Sequence, residues 1–434
     1  VANRSISTRI YERLVRHPAP RQKADMAPEA QAGIPGNFVI LLISQFLVQL
    51  GDAVSNPKII LPWIMGSVGA PLYQLGFLVP IREAGSLLPQ LLIAEWVSRY
   101  RLRKWFWVFG SLFQSLAIAG IGLVAWHASG ALAGWLIIAL LSAFSLARGL
   151  SSTASKDVLG KTIPKSQRGE VNGWSASFSG LITLVMGAIL LLHNGHPLEA
   201  PSYGYLILMA SLLWAAAALV FIRIRELPGE TRKPHNVMQS LLQRSRILIT
   251  DKPFRRFVIT RSLLLCSALT APYYVALAQQ LLGNPLQLLG MFVLASGAAS
   301  LVSGPVWGKF ADVSSAAVMA VGSFIAAGLG FLVCLLAWLR PDWLALPWLL
   351  PLCYFFLSIA HQGVRIGRKT YVVDMAEGNL RTDYVAVSNT IIGAVLLLVG
   401  GLGALAGLIN LNGIILMLST AGLMGAVMAS CLRK

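Results

Sequence analysis

Acidic residues are scarce in this chain. Its 434 residues hold 17 Asp and Glu against 35 Lys and Arg, and charged residues of both signs make up only 12%. An ordinary soluble domain carries about a quarter of its residues as charges, so that class is excluded. Cysteine is scarce too. Cys266, Cys334, Cys353 and Cys431 stand singly within hydrophobic runs, without metal-ligand spacing, and read as small buried hydrophobes. The six histidines are scattered, and no Ser/His/Asp or Cys/His arrangement can be argued. Gly160-Lys161-Thr162 resembles the end of a phosphate-binding loop, but the first glycine of that motif would fall at Ser155. These absences predict no catalytic residues, no metal and no cofactor; the chain is not expected to be an enzyme.

Long hydrophobic runs stand where charge is missing. Hydrophobic residues make up 56% of the chain. Twelve runs lie roughly at 38–65, 72–94, 105–127, 131–155, 170–193, 203–224, 254–282, 286–307, 315–338, 343–366, 383–408 and 412–431. Each is long enough for a membrane helix, which needs about 20 mainly apolar residues. Lys and Arg fall in every second gap between the runs. With the stretches 223–261 and 365–381 counted among those gaps, the exceptions are Arg340, in the other set of gaps, and Lys58, Arg82 and Arg148, inside runs. Basic residues are retained on the cytoplasmic side, so the pattern predicts an inner-membrane protein with both termini in the cytoplasm. No cleavable signal peptide is expected, because the first run starts near residue 38 and is too long for one.

A net charge of +18 would ordinarily raise the question of nucleic acid. Here the charge is spread over short loops, which points to anionic lipid headgroups as partners and to no nucleic acid. In the basic arm at residues 1–36, Ile6, Ile10 and Leu14 recur every four residues beside Arg9, Arg13 and Arg16. That arm reads either as a short helix on the membrane surface or, given Pro18, Pro20, Pro28 and Pro35, as a disordered tail.

The longest basic connection, 225–253, divides the chain into a six-span unit at 37–224 and another at 254–432. It opens with Leu227-Pro228-Gly229-Glu230 and has room for an amphipathic helix around Val237–Leu248. The two units echo each other. Ala94-x-x-x-Ser98 corresponds to Gly308-x-x-x-Asp312 at an offset of 214, and Lys156 and Arg168 match Lys369 and Arg381 at an offset of 213. Weak internal symmetry of this kind accompanies duplicated transporter halves.

Six spans plus six, a long central loop, and Gly308-Lys309-Phe310-Ala311-Asp312 after span eight resemble the major facilitator superfamily. That family's loop signature runs G-x-x-x-D-R-x-G-R-R after span two and recurs more weakly after span eight. In this chain the first copy is worn: Ser98 stands where the acid belongs, while Arg99, Arg103 and Lys104 keep the basic character. The resemblance implies an all-α membrane fold of two pseudo-symmetric six-helix bundles around a central cavity. It also implies gating by these loops, with Arg99, Arg103, Gly308 and Asp312 as the residues concerned. Spans one, four, seven and ten would line the cavity.

Polar residues inside spans are costly and mark bundle interiors or cavities. Gln45, Gln49, Asp52 and Asn56 fall at steps of four, three and four and form one stripe on span one, with Lys58 beyond and Pro57 and Pro62 to kink the helix. Span two carries Arg82 and Glu83 side by side, with Arg82, Ser86 and Gln90 on one stripe. Span four offers Arg148, span five Ser175 and Ser179, and span eleven Asn389. These are the candidate cavity residues, with interhelical hydrogen bonding as the alternative reading. Arg365, Arg368 and Lys369 on span ten are explained first by retention of topology. Asp52 and Glu83 are the candidate proton carriers.

The expected function is secondary active transport of a small organic solute by alternating access, coupled to protons. An anionic or zwitterionic solute is favoured by the slight positive excess of Lys58, Arg82 and Arg148 over Asp52 and Glu83. A lipid or amphiphile flippase or exporter, and a non-transporting sensor on the same fold, are the alternatives. A monomer is expected.

Overall fold

A computed structural model describes residues 6–15, 28–164, 167–192, 200–229, 231, 246–375, 378–402 and 410–432. Among them there are helices and no strands, and twelve segments are long and apolar enough to cross a membrane. In hydrocarbon every backbone polar group needs an internal partner, which a helix supplies from its own segment. The lipid-facing surface is accordingly apolar, with Phe113, Leu116, Leu132, Leu192 and Leu398 among its exposed side chains.

Three spans are interrupted, each for a local reason. Span one runs as helix Pro28–Val54 and resumes as Ile60–Ser67. Between them the Asn56 carbonyl accepts the amides of Ile59, Ile60 and Leu61 at 3.3, 2.9 and 3.1 Å, and Asn56 Oδ1 accepts the Lys58 amide at 2.9 Å. Pro57 has no amide to give, so the chain turns there. Span two divides into a 3-10 turn Leu72–Phe77, a helix Leu78–Leu87 and, after Pro89, a helix Gln90–Ser98. Span seven is Lys252–Leu263, Cys266–Leu269 and Ala271–Leu282, with Pro272 opening the last piece. Spans one and seven hold the same place in the two halves, and broken helices in such a pair mark the binding region of duplicated transporter folds.

The other spans are continuous. In the N-terminal half they are Lys104–His127, Gly130–Thr162, Arg168–Leu192 and Ala200–Phe221. In the C-terminal half they are Leu286–Val313, Ser315–Leu339, Leu349–Asp374, Gly378–Leu402 and Leu411–Ser430. The described basic connections, including residues 99–104 and 222–229, gather at one end of the bundle, its basic face.

The halves meet along spans two and eleven, five and eight, and one and seven. Spans five and eight show how this seam is built. A Cβ placed on Gly187 would lie 2.6 Å from the Leu294 amide nitrogen, and one on Gly290 would lie 2.5 Å from that of Leu191. Only glycine permits such an approach of two backbones. Closer to the basic face on the same helices, Gly173, Gly304 and Gly308 have nothing within 4 Å. The two helices therefore touch away from the basic face and part toward it. At the sealed end, Gln279 Nε2 of span seven donates to the Trp63 carbonyl of span one at 3.2 Å, and Trp63 and Tyr274 are fully buried.

The N-terminal arm forms a helix, Ile6–Leu14, that packs on the protein. Tyr11 Oη donates to Gln167 Oε1 at 2.9 Å, and its ring meets Phe38 edge-on with centroids 5.4 Å apart. The Trp174 indole N–H donates to the Leu14 carbonyl at 3.1 Å. The helix expected around Val237–Leu248 falls largely outside the described residues; a short helix, Ile247–Thr250, precedes span seven.

Candidate functional site

Asp52 is the centre of the charge network in the N-terminal half. One of its oxygens accepts Arg82 Nη2 at 3.0 Å and Arg148 Nη1 at 2.5 Å, which ties spans one, two and four together. The Arg82 guanidinium also sits 4.8 Å from the centroid of the buried Phe144 ring, within range of a cation–π interaction. Gly85 permits this convergence: a Cβ there would lie 2.6 Å from that of Ser145, so span two can lie directly on span four.

Glu83 points elsewhere. Adjacent helix positions diverge by about 100°, and while Arg82 turns to Asp52, Glu83 is exposed near the middle of a span. The charges acting on it are Lys58, at the break of span one, Arg365 and Arg368 on span ten, and Arg82. Glu83 is therefore exposed within electrostatic reach of cations from both halves. The structure thus puts Arg365 and Arg368, explained first by topology, opposite Glu83 and across the seam between the halves. His361 is near the same cations, and its Nδ1 lies 3.1 Å from Ser267 Oγ.

The remaining stripe residues serve several ends. Gln49 Nε2 donates to Ser175 Oγ at 2.9 Å, and Ser175 Oγ lies 3.5 Å from Gln45 Oε1, so these three join span one to span five. Ser175 and Ser179 are buried. Asn56 shapes the break of span one. Ser86 Oγ returns to the Glu83 carbonyl at 2.9 Å, and Gln90 is half-buried at the start of its helix. Asn389 accepts Arg261 Nη2 at 2.9 Å through Oδ1, while Arg261 Nη1 donates to Ser388 Oγ at 2.7 Å.

Gln49 and Arg261 lie 212 positions apart, and Ser175 and Ser388 lie 213 apart. The offsets lie within one or two positions of those of the loops. One inter-span hydrogen bond is therefore repeated in both halves, made by a neutral amide in one and a guanidinium in the other. Arg261 is 7% exposed, its described partners are neutral, and its Nε has none among the described groups.

At the basic face, Arg103 pairs with Asp157 of span four. Glu226, just after span six, is fully enclosed. Its carboxylate accepts the backbone amides of Arg103, at 3.0 and 2.9 Å, and of Lys104, at 2.7 Å, and Lys161 Nζ lies 3.0 Å away. An anion here meets the unpaired amides at the start of span three. Ser98 gives its hydroxyl to the Glu95 carbonyl at 2.8 Å and meets this cluster only through its backbone carbonyl, which accepts Arg103 Nη2 at 3.4 Å. Arg99 lies 3.8 Å from Glu95. Residue spacing did not reveal Glu226, because it arrives from the far end of the half. In the second loop, Gly308 stands in open space, and the side chain of Asp312 lies outside the described residues.

Charge defines the central region. Asp52 and Glu83 are the acids there, and in the C-terminal half every acidic residue stands at or beyond a span end: Asp251, Asp312, Asp342, Asp374, Glu377 and Asp383. Against the two central acids stand Lys58, Arg82, Arg148, Arg261, Arg365 and Arg368. No group of three metal-ligating side chains occurs among the described residues.

A family model of the Major Facilitator Superfamily matches residues 41–401. No curated protein matches the chain in sequence. Among solved structures, it resembles a POT family transporter in complex with 5-aminolevulinic acid, with a TM-score of 0.69, 10% identity, and coverage of 92% of this chain and 96% of that one. A D-xylose-proton symporter gives a TM-score of 0.68 at 11% identity, covering 92% and 97%. A nucleoside transporter gives 0.68 at 11%, covering 92% and 100%. At these identities the likeness is one of fold.

Proposed function

This chain belongs to the major facilitator superfamily, and on that premise we propose that it moves a small organic anion across the inner membrane by alternating access, coupled to protons. The observation that carries the reading is Glu83, exposed near the middle of its span and facing cations of the opposite half. The basic face is cytoplasmic by the retention of Lys and Arg, and the parting of spans five and eight makes this the inward-facing conformation. Transport then requires the seam around Gly187 and Gly290 to part while the basic face closes.

Each charged residue has a part in this cycle. Arg82, Arg148 and Asp52 hold spans one, two and four as a unit. Lys58, Arg365 and Arg368 draw an anion into the gap between halves. Of the two central acids, Glu83 has the access that proton exchange needs, whereas Asp52 has two guanidiniums on one oxygen. Arg103, Asp157 and Glu226 stiffen the basic face of the N-terminal half, and Gly308 is free to receive a partner on closure.

The test is uptake into proteoliposomes of labelled organic anions, with and without an inward-directed proton gradient. Saturable uptake stimulated by the gradient is expected, and Glu83→Gln should retain solute exchange while losing the stimulation. Wild-type uptake indifferent to the gradient would remove proton coupling. Movement of lipid in place of any solute would replace the carrier by a flippase.

A further inference from the structure

Resting on the reading of the central gap as a solute site, we infer that the solute carries two negative charges on oxygen, as a phosphomonoester or a dicarboxylate does, and that its charged end takes the place Glu83 holds in the empty protein. Three observations support this.

The first is the charge left over. Asp52 is taken up by Arg82 and Arg148. Lys58, Arg261, Arg365 and Arg368 then face one carboxylate, that of Glu83, which acts electrostatically on all of them. Uncompensated charge deep in a membrane protein is costly, and pairing with a ligand relieves it. A singly charged solute would leave the excess largely in place.

The second is Arg261. Its nine-tenths burial, its neutral partners Ser388 and Asn389, and its unpartnered Nε describe a cation with no ion pair among the described residues. Packing does not require the charge, because Gln49 makes the equivalent bond to Ser175 in the other half. The guanidinium is surplus to structure.

The third is the position of Glu83. With Asp52 held by Arg82 and Arg148, it is the one carboxylate left in the spans around these cations, and for Arg261, Arg365 and Arg368 it comes from the opposite half. A solute that binds the cations must compete with it. The Glu83 carboxylate is therefore a tethered stand-in for one of the solute's acidic groups.

The experiment is binding to the full-length protein in nanodiscs at fixed ionic strength, read by calorimetry and thermal stabilisation. The solutes are glycerol, lactate, succinate and glycerol phosphate. One or both dianions should bind at least about tenfold more tightly than lactate, a difference well within the range of one added charge pair. Succinate and glycerol phosphate distinguish the two sources of the charge. Glu83→Gln should tighten lactate binding, and Arg368→Gln should weaken dianion binding by about tenfold or more. Arg368→Lys keeps the charge and should keep most of the affinity, which guards against misfolding of the neutral variant. Equal binding of glycerol and succinate, loss of dianion binding in Glu83→Gln, or binding of neither dianion to the wild type would overturn the inference. Dianion binding without flux would leave it standing and remove the carrier; flux of a neutral solute would do the reverse.

Discussion

Gln49 and Arg261 occupy equivalent places in the two halves, and each hydrogen-bonds a serine on the span four further along its own half. The bonds are alike in length, 2.9 and 2.7 Å, and unlike in charge. The N-terminal half is neutral at this point and meets the demand of its central arginines with its own acid, Asp52. The C-terminal half carries a guanidinium there and supplies no acid to the middle of its spans. It draws instead on Glu83 from across the seam. A half that satisfies its own charges is built to stay together, and a half that does not is built to receive something.

Removing the acid from the self-sufficient half should have the largest effect on stability. Asp52→Asn leaves Arg82 and Arg148 facing each other with no carboxylate between them. Breaking a part-buried pair that leaves two guanidiniums without their acid costs up to about 3 kcal/mol, read as a lowered unfolding midpoint in detergent. The double variant Asp52→Asn/Arg148→Gln should recover part of that loss. If Asp52→Asn alone unfolds like the wild type, the N-terminal half does not depend on its network.

Packing beneath the same network is next in size. Gly85→Leu drives a side chain into Ser145 and pushes span two off span four, separating the two arginines that share Asp52. Overpacking costs about 1–3 kcal/mol, and the same measurement would show it. Gly304→Leu, facing open space across the parted seam, should be close to silent in this conformation. Equal effects at the two glycines would mean that their surroundings differ less than described.

The halves are most alike at the basic face, where the segment before the first span of each is tied to the start of its fifth. In the first half Tyr11 Oη donates to Gln167, and in the second Tyr384 Oη donates to Asp251. Tyr11→Phe removes one neutral hydrogen bond and should cost about 1 kcal/mol, with faster proteolysis of the arm as a second readout. Tyr384→Phe removes a bond to a carboxylate and should cost more, since charge-assisted bonds are about twice as strong. The reverse order would break the parallel.

What could be read from residue order follows from which forces are local. Span number came from run length, and the kink of span one from Pro57, because a missing amide acts within one turn; the break of span seven ahead of Pro272 follows the same rule but was not read from the sequence. Asp52 stood out because helical periodicity shows which residues share a stripe. Periodicity does not show what the stripe faces, and Gln45 and Gln49 turn out to meet Ser175 of span five. Arg365 and Arg368 looked like topology signals, since a basic residue near a span end is retained on one side whatever else it does. Their position opposite Glu83 depends on how two halves are set together, which no single helix records. Glu226 escaped notice for the same reason: it follows span six and caps span three.

The smallest predicted change in stability belongs to the residue that best separates structure from function. Arg261→Gln replaces a guanidinium by the side chain that already makes the equivalent bond at Gln49. A glutamine can still donate to Ser388, and the lost positive charge had no acidic partner among the described residues of its own half. Stability should therefore move by no more than about 1 kcal/mol, the scale of one net hydrogen bond, and removal of an uncompensated charge can offset even that. Anion binding, by contrast, should weaken clearly, because one of the cations on which Glu83 acts is gone. A large loss of stability with affinity intact would make Arg261 a structural residue and remove the contrast between the halves. Intact stability with weakened affinity would show that the second half keeps its arginine for the solute.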